Sequence, residues 1–376
     1  MPEIRPIAIY LPQFHPIPEN DDAWGEGFTE WTNVSKAKPL FGGHYQPHIP
    51  HESTGYYDLR DPDVLVQQAA MAKRYGIYGF AFYHYWFNGK RLLETPLDNM
   101  LKHGKPDFPF CCIWANENWT KKWDGGNNQI IISQNHSPED DLEHIRFLCE
   151  HFFKSKNYIK INGRPLFIVY KPFLLPNPTE TAQLWRSEAE KYGIRLYLCH
   201  MVFGYSWNKN LPVKGYDAVI DFEPFSIRRR NIFDQISNNR KNSLKLYEKS
   251  IIQLLKWLNI NKKFFSVQFN KIDYKWIVEN LETLKNYPVR IYPSIVPGWD
   301  NTARRNNDPA LILTNSNPQL FENFLQKILK DFTPFSDEEN FIFINAWNEW
   351  AEGNHVEPCK RHGTAYLETI ERNIKK

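Results

Sequence analysis

The feature that most constrains this chain is an alternation. Short apolar runs of strand length recur eight times, at Ile4 to Leu11, Ile77 to Tyr83, Phe108 to Trp114, Pro165 to Tyr170, Arg195 to Phe203, Tyr216 to Phe222, Val289 to Val296 and Phe341 to Ala346. Between them lie segments with helical spacing: Asp63 to Tyr75, Pro138 to Lys154, Thr179 to Tyr192, Leu244 to Leu258, Tyr274 to Lys285 and Pro318 to Phe332. An apolar run without polar alternation is a strand covered on both faces, and strands alternating with helices build a parallel sheet. Repeated over 376 residues, the pattern predicts one catalytic-sized (β/α)8 barrel, with a doubly wound open sheet as the alternative. Asp61 before Pro62, and Thr179, resemble helix N-caps, while the glycines of "RYGI" (Arg74 to Ile77) and "KYGI" (Lys191 to Ile194) stop a helix ahead of the next strand.

Two stretches break the rhythm. Residues 12–57 are too long for an ordinary βα connection and are dense in Pro, Gly, His and aromatics, which predicts a functional wall rather than a linker. Residues 228–263 are rich in Lys, Arg and Asn. They read as a solvated insertion around one helix, with peripheral contact to an anionic polymer or membrane as the other reading.

Charge excludes one class of partner. Lys+Arg (46) nearly balances Asp+Glu (43), leaving a formal net charge of +3, too little to argue for nucleic acid. No run approaches the ~18 apolar residues of a membrane span. The first residues lack the apolar core and cleavage site of a signal peptide, and the five cysteines show no Cys-x-x-Cys spacing. Reduced buried thiols in a cytoplasmic protein are the expectation. Aromatic residues make up 15% of the chain, enough to supply both a large core and the flat surfaces that hold sugar rings.

In such a barrel the site forms where the strands end, because the βα loops converge there. Unusual residues cluster at those ends. The first strand is followed by Tyr10, Gln13 and His15, with Glu30 and Trp31 further along its loop. The second offers Tyr83, His84, Tyr85 and Trp86, and the third Trp114, Asn116, Glu117 and Trp119. The sixth offers Asp221 and Glu223; the seventh carries "PGWDNTARR", with Trp299, Asp300, Asn301 and Arg304. Each has a bland alternative: His84 as a hydrogen-bonded core histidine, Glu223 as a partner of a nearby Arg, Asp300 as a turn residue. Glu117, an acid set between Trp114 and Trp119, is harder to account for structurally and reads as a substrate contact.

The eighth run is the most informative. "FIFINAWNEWAEG" passes from a buried strand into Trp347, Asn348, Glu349, Trp350 and Glu352. No His-Glu-x-x-His, Gly-x-Ser-x-Gly or glycine-rich phosphate loop occurs, so carboxylates are left to carry the chemistry, with no metal or other cofactor expected. Paired carboxylates among aromatics are the equipment of glycoside cleavage, and retaining enzymes hold theirs roughly 5 Å apart. Glu349 and Glu352, three positions apart on one loop, can reach such a separation and are the candidate catalytic pair.

These motifs carry a resemblance. "WNEWAEG" with "EP" after it, "PGWDNTARR", "WANENW", "FYHYWFNGKRLLE" and "AIYLPQFHPIPENDDAWGEGFTEWTNV" resemble the WbsX-type proteins of bacterial polysaccharide gene clusters, relatives of the glycoside hydrolase family 99 endo-α-mannosidases. The resemblance implies a (β/α)8 barrel and a retaining, metal-independent hydrolase of a bacterial or host glycan. In its mechanism Glu349 takes the proton from the substrate's 2-hydroxyl, a 1,2-anhydro sugar forms, and Glu352 protonates the leaving group. Ala351 stands where the mannosidases often carry His. Two further readings remain: a glycosyltransferase or transglycosylase of O-antigen or capsule synthesis, and a carbohydrate-binding protein without turnover.

Overall fold

Nine short parallel strands follow one another around a ring in the computed structural model, which describes residues 3–121, 129–204, 211–226, 228, 270–305 and 311–375. They are β1 (Arg5–Tyr10), β2 (Gly79–Phe87), β3 (Phe110–Trp114), β4 (Arg164–Val169), β5 (Tyr197–Val202), β6 (Ala218–Asp221), β7 (Ile291–Tyr292), β8 (Ser294–Ile295) and β9 (Phe341–Ile344). Their spatial order is β7-β6-β5-β4-β3-β2-β1-β9-β8. The last two neighbours close the ring. β7 and β8 are halves of one strand separated by Pro293, which has no N–H for the ladder. Ile291 and Tyr292 pair with Val219 and Ile220 of β6, and Ser294 and Ile295 pair with Phe343 and Ile344 of β9. The result is the barrel that the eight apolar runs predict.

Helices cover the outside: α3 (Pro62–Arg74), α4 (Thr95–His103), α5 (Pro138–Phe147), α6 (Pro178–Glu190), α7 (Tyr274–Glu279), α8 (Pro318–Asp331) and α9 (Ala365–Ile374), after two short helices of the first loop, α1 (Pro18–Trp24) and α2 (Glu30–Lys36). Four of them begin alike. Asp61, Ser137, Asn177 and Asn317 each cap an exposed backbone N–H while proline takes the next position. Asn177, not Thr179, is therefore the cap of α6. The glycine stops behave as read: Gly76 and Gly193 lie at φ 85° and 72°, and the following Ile77 and Ile194 donate back to Ala72 and Ala189. The segment Leu244 to Leu258, and the basic insertion apart from Arg228, lie outside the described residues.

The long first loop stays at the C-terminal mouth of the barrel. Trp31 packs against Phe14, Tyr57 and Trp350, while His51 donates to the Pro358 carbonyl and Lys360 to that of Ile49. All five cysteines are buried and unpaired. Among the described residues no helix is long and apolar enough to cross a membrane.

Candidate active site

Strand β9 ends in fully buried residues, and the chain then folds into a tight hairpin. Asn348–Glu349 pairs antiparallel with Asn354–His355 around the single turn Trp350–Glu352. Two features fix this hairpin. Asn348 clamps the end of β1, its Oδ1 accepting from Leu11 N at 2.8 Å and its Nδ2 donating to Leu11 O at 3.0 Å. Gly353 closes the turn at φ 57°, where a Cβ would also come within 3.1 Å of the Asp300 side chain, so both backbone and space call for glycine.

The hairpin brings Glu349 and Glu352 onto one guanidinium. Arg304 Nη2 lies 2.9 Å from Glu349 Oε2, and Nη1 lies 2.9 Å from Glu352 Oε1. A third carboxylate backs the arginine: Glu30 Oε1 accepts from Arg304 Nη2 at 2.5 Å and from Ala351 N at 3.1 Å. Three carboxyls around one buried cation cannot all ionise cheaply. Burial is the main cause that lifts Glu349 to about 8; Arg304 opposes it, while Glu352 and Glu30 add to it. Glu352 is raised as well, by burial acting against the same arginine. Both shifts run upward, so the coupled pair gives up its last proton at a higher pH than free carboxyls do.

Both acids face a cavity of about 620 Å³ at the C-terminal ends of the strands. Its walls are Tyr83 and Tyr85 of β2, Trp119 beyond β3, Tyr170 and Lys171 beyond β4, Phe203 beyond β5, Phe222 and Phe225 beyond β6, and Trp299, Asn301 and Arg304 beyond β8. Burial, reinforced by Glu349, keeps the Tyr83 and Tyr85 hydroxyls protonated and available as donors. Glu117 reaches the same cavity, paired to Lys171 Nζ at 2.5 Å.

Other residues singled out in the sequence lie elsewhere. Successive strand residues face opposite sides, so Tyr83 and Tyr85 point into the barrel mouth while His84 and Trp86 point outward onto α5. His84 Nε2 sits 3.1 Å from His144 Nε2, and Trp86 Nε1 donates to Asp140 Oδ1 at 2.8 Å. His84 is buried against α5, as in the bland alternative, and Trp86 lines neither the acid cavity nor the second cavity described below. Tyr10 donates to Gln68, away from the cavity. Gln13 and His15 are buried within the first loop, where the Gln13 carbonyl accepts from Glu30 N and His15 Nδ1 lies 3.1 Å from the Pro16 carbonyl. Asn116 binds both the N–H and the carbonyl of Lys171, tying two loops together. Trp31 donates to the Tyr57 carbonyl, Trp347 packs on Phe80, and Asp221 is bonded to Arg228. These indoles, Asn348 and Glu30 build the support on which the acids stand. Asp300 lies beyond the Trp299 wall, 2.6 Å from His44 Nε2.

The sequence reading missed Tyr170, Lys171, Phe203, Phe222, Phe225 and Glu357. Tyr170, Phe203 and Phe222 are the final residues of three of the apolar runs, so the rule that strand ends carry the site would have found them. Glu357 is buried behind the hairpin, where it accepts from Tyr57 Oη at 2.9 Å, Gln68 Nε2 at 2.7 Å and Trp350 Nε1 at 2.8 Å. Among the described residues no group of three or more His, Cys, Asp or Glu is arranged to hold a metal ion.

Comparison with known proteins adds the relatives. The family model described as "Glycosyltransferase WbsX" matches residues 6–370. "Uncharacterized protein WxcX" from two strains of Xanthomonas campestris pv. campestris is 36% identical over 379 residues, covering 100% of this chain and 50% of the relative. The chain thus spans about half the length of these curated relatives. Among solved structures, the GH99 endo-alpha-mannosidase from Bacteroides thetaiotaomicron in complex with bis-tris propane is similar at a TM-score of 0.58 and 15% identity, over 98% of this chain and 95% of that one. A "glycoside hydrolase-like protein" is similar at a TM-score of 0.58 and 14% identity, over 99% and 94%. At these identities the likeness is one of fold.

Proposed function

The chain belongs to the family described as glycosyltransferase WbsX, and from that premise we propose that it is a retaining glycoside hydrolase cleaving within a bacterial or host glycan. The observation that carries this reading is that Glu349 and Glu352 meet on the Arg304 guanidinium at the wall of an aromatic cavity. Tyr83, Tyr85, Trp119 and Trp299 offer faces for sugar rings and, in the tyrosines, protonated hydroxyls for substrate oxygens.

In the proposed cycle the one proton of the coupled pair sits on Glu352 in the reacting state, so that Glu349, ionised and steadied by Arg304, removes the proton from the substrate's 2-hydroxyl, and that oxygen attacks the anomeric carbon to form a 1,2-anhydro sugar. Glu352 gives its proton to the departing glycosidic oxygen. It then takes a proton from the incoming water, whose oxygen opens the three-membered ring, while Glu349 returns its proton to O2. Arg304 holds both carboxyls in register throughout and offsets their shared charge. Because the substrate supplies the nucleophile, both acids can come from one hairpin.

A second reading follows from the family description, which names a transferase. An acceptor hydroxyl arriving in place of water would give glycosyl transfer with the same residues, so the two readings differ in acceptor. The test is to incubate the purified protein with α-mannosides, other glycan fragments and nucleotide-sugar donors. Cleavage or transfer from a glycoside that is lost in Glu352→Gln is the expected result. Turnover only from a nucleotide-sugar donor would overturn the proposal.

A further inference from the structure

A second cavity of about 390 Å³ lies across Trp299 from the acids, and its lining differs in kind. Two cations stand at it, each parked on an aromatic ring: Lys271 Nζ is 3.2 Å from the Phe41 ring centroid, and Arg361 Cζ is 4.3 Å from that of Tyr45. Among the described residues neither has an ion-pair partner. The one acid of the lining, Asp300, is already met by His44 at 2.6 Å and by the Thr302 hydroxyl at 2.6 Å. Among the described residues the lining therefore sets two cations against one carboxylate.

The deeper wall suits hydroxyls. Burial lowers His48 to about 4 and holds His355 well below the usual imidazole value, and the hydrogen bonds fix their tautomers: His355 Nδ1 donates to the Glu357 carbonyl at 2.9 Å and its Nε2 accepts from His48 Nδ1, which leaves His48 Nε2 as an acceptor. They stand 3.0 Å apart, and His355 stacks on Trp350 at 3.7 Å. Two further facts connect this cavity to the catalytic one. Trp299 lines both, with a buried Nε1 that has no hydrogen-bond partner among the described residues. Asp300 N donates to the Glu352 carbonyl at 2.6 Å, so the wall between the cavities is the acid hairpin itself.

We infer that this second cavity is a subsite for an anionic sugar residue, one bearing a carboxylate or a phosphate, on the glycan that reaches the acids around Trp299. The anion meets Lys271 and Arg361, and His48 Nε2 accepts from a ring hydroxyl. This assignment rests on the glycan reading of the acid cavity, yet its test separates the two.

Trigalacturonate and mannose 6-phosphate serve as carboxylate and phosphate probes, with mannotriose as the neutral control, and binding is followed by calorimetry at low and at physiological salt. Lys271 and Arg361 are exposed, so Lys271→Gln with Arg361→Gln leaves the fold intact. The expected result is that one or both acidic probes bind, that the double variant weakens them by about tenfold or more, and that added salt weakens them in the wild type. Mannotriose binding is expected to be the same in wild type and double variant. Glu352→Gln is expected to keep the acidic probes' affinity, since they sit beyond Trp299. Acidic probes that fail to bind, that bind no better than mannotriose, or that ignore the double substitution overturn the subsite. If they behave as expected while no glycoside is ever turned over, the catalytic reading falls and the anionic subsite stands.

Discussion

Two sets of buried carboxyls stand on opposite sides of the Trp350 hairpin, and they are kept in different ways. On one side Glu349 and Glu352 share a charged partner, Arg304, and face a cavity. On the other, Glu357 accepts three hydrogen bonds from uncharged donors, Tyr57, Gln68 and Trp350, and lines neither cavity. Burial displaces them alike, Glu349 to about 8 and Glu357 to about 7. A displaced pKa therefore does not by itself mark the carboxyl proposed as catalytic. Access does, together with a partner whose charge allows the proton to leave: an ionised Glu349 is steadied by a guanidinium, whereas an ionised Glu357 has only dipoles around it.

The strongest test of this contrast is substitution on the cavity side. Glu352→Gln is expected to lower kcat by about 10²–10⁴-fold on a glycoside with a poor leaving group and to spare one with an activated aryl group, because acid help matters only when the leaving oxygen needs a proton. An equal loss on both, seen in steady-state kinetics, would remove Glu352 from the acid role. Glu349→Gln is expected to lose about as much on every leaving group. A substrate with hydrogen at C2 should fail likewise, and mass spectrometry after exposure to a 2-fluoro sugar should find no glycosyl adduct on Glu349.

Acidity offers a second test. The productive state carries one proton on the Glu349–Glu352 pair, so kcat/KM is expected to be bell-shaped, with an acid limb above the ordinary carboxylate range and an alkaline limb near 8. Glu357→Gln should leave both limbs where they are. A shift of either limb in that variant would place Glu357 in the catalytic proton balance and break the comparison.

Glu357 is instead expected to appear in stability. Its pKa is higher folded than unfolded, so its contribution is fully present below the ordinary value of 4.5 and is lost as pH rises toward about 7. Over that window the loss is roughly 3 kcal/mol at most. Denaturant unfolding at pH 5 and 7.5 should show a smaller pH dependence in Glu357→Gln than in wild type. The variant should also be less stable at pH 5 by about 1–3 kcal/mol, since a carboxamide nitrogen faces a donor that the oxygen satisfied. The smallest effect is expected at Trp86. Trp86→Phe loses the bond to Asp140 and should cost about 1 kcal/mol, with kcat and KM unchanged; a raised KM would return Trp86 to the substrate groove.

The barrel was legible because burial on both faces leaves a continuous apolar run, and the turn residues around each run are local chemistry. The candidate acid pair was legible for the same kind of reason: Glu349 and Glu352 are three residues apart, so one short hairpin carries both. The pleat decided what spacing within "FYHYWF" could have told but composition concealed, that Tyr83 and Tyr85 face the cavity while His84 and Trp86 face α5. Beyond that, only tertiary structure could speak. That Arg304 would bind Glu30 across 274 positions as well as Glu349 and Glu352, that Glu357 would find Tyr57 and Gln68, and that Trp299 would line two cavities at once all depend on residues from distant parts of the chain meeting in the fold. Such meetings carry no sequence period, because the residues involved are local neighbours in space and strangers along the chain.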